Sequence, residues 1–585
     1  MAIFFKYGKH TFRDSTGRRT IRQQNFLQLM VCLALLVAVN IVGSLKFARL
    51  DLTSEKRYTL APGTRTMLRQ LDDIVYFRVY LEGDFPAGFQ KLRNQTREML
   101  GEFRAFSGNI QYEFINPLQA PERDGIINML IEKGLEPTQV QVREHDATSQ
   151  QIIFPGALVS YRGREISLQL LVDQLGKSPE EILNYSAQAL EYNLANAIRR
   201  LTITEKPGIG FIEGQGELTG ALVADVKRRL SEFYRVERLR IDNNLAQVLQ
   251  FETLIVAKPI NPFTEEQKFV LDQFIMQGGT MLWLVDPVFA SMDSLRPPSF
   301  ESIGMGWPVN IDDMLFRYGV RLNANLLQDL NAAPIPVTTG MIGNQPQINL
   351  LPWYFFPLLN PANNHKIVNN LNLIRSEFVS SIDTVFAPNV HKTILLQSSP
   401  YTRNVITPAT ISLNLLRHQP DERQFSAGPQ NVAVLLEGSF ESIFRNRLAP
   451  GIGMPAGFQR RDQSVPTAMI VVADGDVIKN QLGRDGQPLP LGYDRFSGQT
   501  FGNSDFILNA IDFLADDSGI LEARAREMRL RMLDRSRVNR NRTPIQVANV
   551  LVPVILVVSF GFARFVWRKQ RFAKKNVKQV KPPVQ

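Results

Sequence analysis

Three places in this 585-residue chain bring together side chains that could do chemistry. The first is Glu213-Gly214-Gln215-Gly216-Glu217, which follows the apolar run 208–212 and opens a helical pattern. Gly214-x-Gly216-x-x-x-Gly220 is one residue too long for G-x-G-x-x-G. Glu213 and Glu217 would also repel a pyrophosphate at a helix N-terminus. A tight turn is expected there. The functional alternative is a polar ligand or partner contact by Glu213, Gln215 and Glu217 at the carboxyl end of a strand. The second place is Asp286, at the end of the run 281–285. The third is Asp474-Gly475-Asp476, at the end of 468–473, where Asp505 could join in holding a divalent ion. Hard cations want several oxygen ligands and only these few are identifiable, so a solvated turn is the plainer expectation.

Other motifs dissolve on spacing. Gly176-Lys177-Ser178 resembles the end of a phosphate loop, but the required earlier glycine is Leu171. Ser178-Pro179-Glu180-Glu181 reads instead as a capping box opening a helix to about Leu201. His10, His145, His365, His391 and His418 show no metal-ligand spacing, and there is no G-x-S-x-G elbow. The single cysteine, Cys32, excludes an intramolecular disulfide and cysteine-rich zinc sites. Neither a catalytic residue, a metal nor a cofactor is expected, and the chain is read as a non-enzyme.

The elements that must position these residues alternate. Helical spacing over 63–71 leads to a β-rich run at 74–81, a helix over 89–106 and a strand at 110–115. This suggests a thioredoxin-like α/β domain over 50–204, without the C-x-x-C of redox chemistry. A second α/β domain over 205–518 is predicted from strands at 208–212, 234–241, 253–257, 281–285, 432–436 and 468–473. The helices between and after them are expected at 218–233, 265–276 and 506–514. That rhythm predicts a doubly wound parallel sheet, interrupted by a β-rich insertion at 325–430.

The formal net charge of +10 sits at the ends: +5 in residues 1–25, +7 in 568–585 and −2 between them. A nucleic-acid binder would carry such charge on a folded face, so no nucleic-acid partner is expected. Each basic end adjoins an apolar run, 23–45 and 545–567, long enough for a membrane helix at about 1.5 Å per residue. Two terminal transmembrane helices are therefore predicted, with basic tails at 1–22 and 568–585 in the cytoplasm and the bulk outside. An Arg-rich juxtamembrane helix over 519–543, with Arg524, Arg531, Arg535 and Arg542, would face lipid headgroups or an acidic partner.

The chain resembles the GldG-type auxiliary component of the gliding-motility ABC transporter system. The resemblance rests on Asp51-Leu52-Thr53-Ser54-Glu55-Lys56-Arg57-Tyr58-Thr59-Leu60, Glu213–Glu217, Gln277-Gly278-Gly279 and Glu437-Gly438-Ser439-Phe440 with Phe444 and Arg447. Asp474-Gly475-Asp476 and Asn503-Ser504-Asp505-Phe506-Ile507-Leu508-Asn509-Ala510-Ile511-Asp512 complete it. It implies an inner-membrane subunit with a periplasmic body, working with a multi-span permease and a separate ATPase in a hetero-oligomer. The family's central domain is similar to an intraflagellar-transport component and to class I glutamine-amidotransferase-like folds. Members often have His at the position of Gln215, and the amidotransferase activity does not carry over without its cysteine. A glycan-binding role has been suggested for the family. A free-standing glycan- or peptide-binding module near Gln215, Asp286 and Asp474 is the alternative reading, and a hydrolase using Asp474, Asp476 and Asp505 a third.

Overall fold

The computed structural model describes residues 26–38, 59–515 and 542–573, apart from 120–122, 145–146, 173–177, 204, 219, 242–244, 296, 298, 343–344, 370, 449 and 452–456. The basic tail 1–22, residues 574–585 of the other tail, Gly176-Lys177 and the stalk arginines Arg524, Arg531 and Arg535 lie outside these residues.

The first layered unit is a βαβ followed by a ββα. Strand β1 (Val75–Val79) pairs in parallel with β2 (Ile110–Phe114) across helix α1 (Ala87–Phe106). On its other side β1 pairs antiparallel with β3 (Gly156–Tyr161), which forms a hairpin with β4 (Arg164–Gln169). The sheet order is β2-β1-β3-β4. Helix α2 (Leu190–Thr202) packs Leu194, Ile198 and Leu201 into the same core as Phe77, Val79 and Phe103. The capping box at Ser178 forms as read: Ser178 Oγ accepts from the Glu181 N–H, and Glu181 Oε2 accepts from the Ser178 N–H at 2.8 Å. The expected single helix to Leu201 is interrupted at Ala189, where one helix (Pro179–Gln188) hands over to α2.

The second unit is built on a large mixed sheet. In chain order its parallel strands are β5 (Gly208–Glu213), β6 (Arg235–Arg240), β7 (Thr253–Ala257) and β8 (Thr280–Leu284). The antiparallel half contributes β9 (Ala332–Ile342), β10 (Gln345–Pro361), β11 (Val390–Gln397) and β12 (Asn431–Gly438), and β13 (Thr467–Val472) joins the halves. The order across the sheet is β9-β10-β11-β12-β13-β8-β7-β5-β6. The parallel strands β6-β5-β7-β8-β13 follow the order 2-1-3-4-5, one of the two common doubly wound orders.

The fully parallel sheet expected from the rhythm is therefore only half right. Residues 432–436 do return to the sheet, but β12 runs antiparallel to β13. The β-rich insertion is built into the sheet. It supplies β9, β10 and β11 to the same sheet, and its first strands appear at Val288–Phe289 and Glu301–Gly306, before residue 325. Period-2 patterning marks a strand without revealing its partner or direction, which is why these strands read as an insertion and not as members of the sheet.

Over β5–β8, β12 and β13 both faces of the sheet are covered, as their continuous apolar strands require. Helix α3 (Ala224–Leu230) and helix α5 (Asn503–Ala515) pack Val226, Leu230, Phe506, Ile507 and Ile511 on one face. Helix α4 (Glu265–Met276) packs Phe269, Val270, Phe274 and Ile275 on the other. Its start is fixed by Thr264, whose side chain accepts from the Gln267 N–H while Gln267 Oε1 accepts from the Thr264 N–H. The helix expected over 218–233 is shorter, with a 3₁₀ turn at Gly220–Val223 before α3.

The C-terminal helix α6 (Arg542–Ala573) forms a unit of its own, with Pro553 inside it. Its segment Asn549–Gln570 is, among the described residues, the one helix long and apolar enough to cross a bilayer. Twenty-two residues give about 33 Å. At the other end, Phe26–Ala38 is an apolar helix of 13 residues, and the rest of the expected first span lies outside the described residues.

Candidate functional site

The parallel strands end together, and their carboxyl ends carry a line of charges. Lys258 follows β7, Asp286 follows β8, and Asp474, Asp476 and Lys479 follow β13. Glu377 and Arg375 arrive from the β-rich segment. They form a ladder of alternating sign. Lys258 Nζ lies 2.9 Å from Asp286 Oδ2 and also pairs with Asp476 Oδ2. Lys479 Nζ lies 2.9 Å from Asp476 Oδ1 and 3.6 Å from Glu377 Oε2, and Arg375 Nη1 lies 2.6 Å from Glu377 Oε1. Three cations thus alternate with three carboxylates, and the ladder is neutral.

Burial and pairing set the titration of these groups. Burial pushes the Asp476 carboxyl up, but the Lys258 and Lys479 charges outweigh it and hold it at about 2. Burial pushes Asp286 above the usual carboxylate range, against the pull of Lys258. Lys258 and Lys479 are disfavoured as cations by burial, yet their carboxylates raise both above the ordinary lysine value. Asp474 lies beneath the ladder with no exposed surface. Burial, and then the charges of Asp286 and Asp476, raise it well above the carboxylate range. Its two oxygens accept the backbone N–H groups of Asp476 at 2.7 Å and Glu377 at 2.9 Å. Asp474 is thus a clamp on the backbone of two loops.

Local backbone makes the ladder possible. Lys258 adopts φ +57°, a left-handed conformation that costs about 1 kcal/mol for a side-chain-bearing residue. Gly475 packs against it so closely that a Cβ there would lie 2.5 Å from Lys258 Cβ. The glycine between the two aspartates is therefore a close-approach position. Asn503, at the start of α5, ties the ladder to the helix layer: Nδ2 donates to Arg375 O at 2.8 Å and Oδ1 accepts from Arg375 N–H at 3.0 Å.

The ladder floors a cleft of about 650 Å³. Its walls are apolar and aromatic, including Phe289, Trp307, Phe356, Phe378 and Phe496. Trp307 and Phe289 rings stand 5.0 Å apart, and Trp307 Nε1 donates to Ile260 O at 2.6 Å. Arg375 lies over the Phe356 ring at 5.1 Å, and Arg495 over Phe496 at 4.6 Å. Such a cleft, outside the carboxyl ends of parallel strands, is where doubly wound sheets bind ligands.

Of the residues picked out by sequence, Asp286 and Asp476 line this floor and Asp474 lies buried beneath it. Glu213, Gln215 and Glu217 do not line the cleft. Their turn forms as a packed corner: Gln215 O accepts the N–H groups of Ile260 and Asn261, both at 2.8 Å. Gly216 has φ +76°, and a Cβ there would lie 2.4 Å from Ile260 Cγ1. Gln215 is 4% exposed, and its Oε1, like Glu217 Oε1, is buried without a hydrogen-bond partner. Burial raises Glu217, against hydrogen bonds from backbone N–H groups of its own turn. Glu213 turns outward to pair with Arg238 at 2.8 Å. Asp505 lies elsewhere, in a smaller cavity with Tyr185, Tyr234 and Asp512. Asp474, Asp476 and Asp505 therefore do not converge, and no cluster of three or more metal-ligating side chains occurs among the described residues. Arg542 begins α6.

Sequence reasoning missed Lys258, Lys479, Glu377 and Arg375. The signal available was weak: a lysine directly after a buried strand, and another three residues past Asp476.

The architecture defines the class: a doubly wound α/β body with a strand-end cleft, in a chain with a membrane-length C-terminal helix. Residues 206–510, just over half of the chain, match the family described as an ABC-type uncharacterized transport system, an auxiliary family of such systems. The chain belongs to that family, which associates it with an ABC transporter and a membrane. Residues 54–160 match a domain of unknown function (DUF7088). An uncharacterized protein of Borreliella burgdorferi is 20% identical over 563 residues, covering 93% of this chain and 98% of the relative. Two solved structures are similar at 12% identity, each over 53% of this chain. The mmIFT52 N-terminal domain has a TM-score of 0.30 over 97% of its chain. A ThuA-like protein from Parabacteroides merdae has a TM-score of 0.26 over 91%. At those scores they carry no argument.

Proposed function

We propose that this chain is a non-catalytic auxiliary subunit of a GldG-type ABC transporter. In this reading both ends are anchored in the bacterial inner membrane, both termini are cytoplasmic, and the α/β body is periplasmic, where it engages a partner or an envelope substrate. A multi-span permease and a separate ATPase supply the translocation path and the energy, and gliding motility is the process served. The first unit, with its order β2-β1-β3-β4, is read as thioredoxin-like, and the second as amidotransferase-like in its parallel half. The observation that carries the non-catalytic role is the neutral ladder. Each side chain that could act as a general acid or base in the cleft floor is committed to an opposite charge or to backbone, from Asp286 through to Arg375. Groups held this way support a binding surface rather than proton transfer.

The test is purification of the full-length chain from its native membrane in mild detergent, with mass spectrometry of what stays bound. A multi-span permease and a P-loop ATPase in fixed ratio are expected. A chain that emerges alone would sink the subunit reading and leave a free-standing binding module. The aromatic cleft favours that second reading for a glycan or peptide. Saturable quenching of tryptophan fluorescence by cell-wall fragments, lost on Asp286→Ala, would support it.

A further inference from the structure

The two edges of the central sheet are built in opposite ways. Strand β6 closes one edge with the sequence Arg-Val-Glu-Arg-Leu-Arg, and Arg235, Glu237 and Arg240 are exposed there. Charges along an edge are the usual defence against pairing with another chain. Strand β9 closes the other edge, and no Asp, Glu, Lys or Arg occurs anywhere from Leu330 to His365. The base of the β9–β10 hairpin is anchored, with Ala333, Ile335, Trp353 and Phe355 in a core. Beyond it the ribbon runs on with both faces in solvent. Thr338, Thr339, Met341 and residues 346–350 are all exposed, Met341 at 63% and Ile348 at 60%. Two strands with neither face covered are marginal in water. Pro334 and Pro336 cannot donate to a new neighbour, which leaves Val337–Ile342, about 20 Å of edge.

We infer that this edge pairs with the same edge of a second copy of the chain, β9 against β9 about a two-fold axis. The charge pattern selects that occupant. In an antiparallel self-pair, residues near the axis face themselves or near neighbours, so any charge would meet a like charge. A neutral stretch is what such a strand requires. A lipid surface does not fit, because residues 337–350 contain no Lys, Arg, Trp or Tyr to anchor at an interface. Six paired residues alone fall below the roughly 1,000 Å² of a stable soluble dimer. Confinement to one membrane raises the effective concentration of the second edge and makes up the difference. The inference does not depend on the transporter reading.

The test uses the full chain in its membrane. In a Cys32→Ser background, Thr338→Cys is treated with a short bis-maleimide, and a product of twice the 66.2 kDa chain mass is expected. Glu237→Cys, on the charged edge, should give none. Adding Met341→Asp should cut the dimer at least tenfold, while neutral Met341→Asn retains it, with thermal unfolding unchanged in both. No dimer product, a product with a different protein, or a dimer indifferent to Met341→Asp would each overturn the inference.

Discussion

Replacing Lys258 with methionine tests the ladder directly. The methionine keeps the volume of the stem and deletes the charge that lies between Asp286 and Asp476. The side chains concerned are 21%, 15% and 4% exposed, so solvent screens them little. Removing one partner of a buried ion pair costs about 3–5 kcal/mol. At about 2 °C per kcal/mol for a domain of this size, the apparent Tm at pH 7 should fall by about 6–10 °C. The pH dependence carries the sharper signature. In the native chain Asp476 is held at about 2, below its unfolded value, so its contribution is complete above pH 4 and is lost only as pH falls toward 2. In Lys258→Met the two carboxylates keep their burial and lose that cation, so their folded values rise. The variant is then destabilised most at neutral pH and relieved as the pH falls and protons bind. Differential scanning fluorimetry of the full-length protein from pH 7 to pH 5 should show the gap between native and variant Tm narrowing. Adding Asp286→Asn should recover part of the loss. A deficit under about 1 kcal/mol at pH 7, or one that does not narrow at pH 5, would refute the ladder as a buried electrostatic unit.

Two further outcomes follow from neighbouring geometry. Gly475→Ala places a Cβ 2.5 Å from Lys258 Cβ and 2.9 Å from its Cα, and should cost about 1–3 kcal/mol by chemical denaturation. Arg199→Leu removes a guanidinium that lies 3.4 Å from Asp512, donates to Tyr234 at 3.0 Å and stacks on Phe233. These contacts join α2 of the first unit to the second. A loss of about 2–4 kcal/mol is expected, together with faster cleavage by a Glu-specific protease at exposed Glu205 in the connection between the units.

Local signals in the sequence were reliable wherever a few neighbouring residues decide the outcome. The capping box at Ser178, the helix 265–276 and the buried strand 253–257 form at the expected positions. Asp286, Asp474 and Asp476 were recognisable as strand-end carboxylates because each follows an apolar run. Their partners were not, since Lys258, Glu377 and Lys479 meet only after segments up to 221 residues apart pair in the sheet. The Gln215 turn misled in the opposite way. Its glycines and carboxylates have the composition of a ligand loop, yet Gln215 and Glu217 serve a buried corner against Ile260 and Asn261. The direction of β12 and the fate of residues 325–430 depend on strand order, which no local period records.

The position of β13 has a consequence for how the chain is made. It sits between β8 and β12, in the middle of the sheet, although it is the last of these strands in the sequence. During synthesis the first unit, closed by residue 202, can complete its sheet without waiting for anything downstream. The second cannot. β8 and β12 leave the ribosome with fully apolar flanks that have no neighbour until residues 467–472 emerge, nearly two hundred residues after β8. At about 5–20 residues per second that is an interval of roughly ten seconds or more. Throughout it the open edge of β8, joined near its end by that of β12, needs a holdase, a slow translocation step or a partner's surface to keep it apart from other chains.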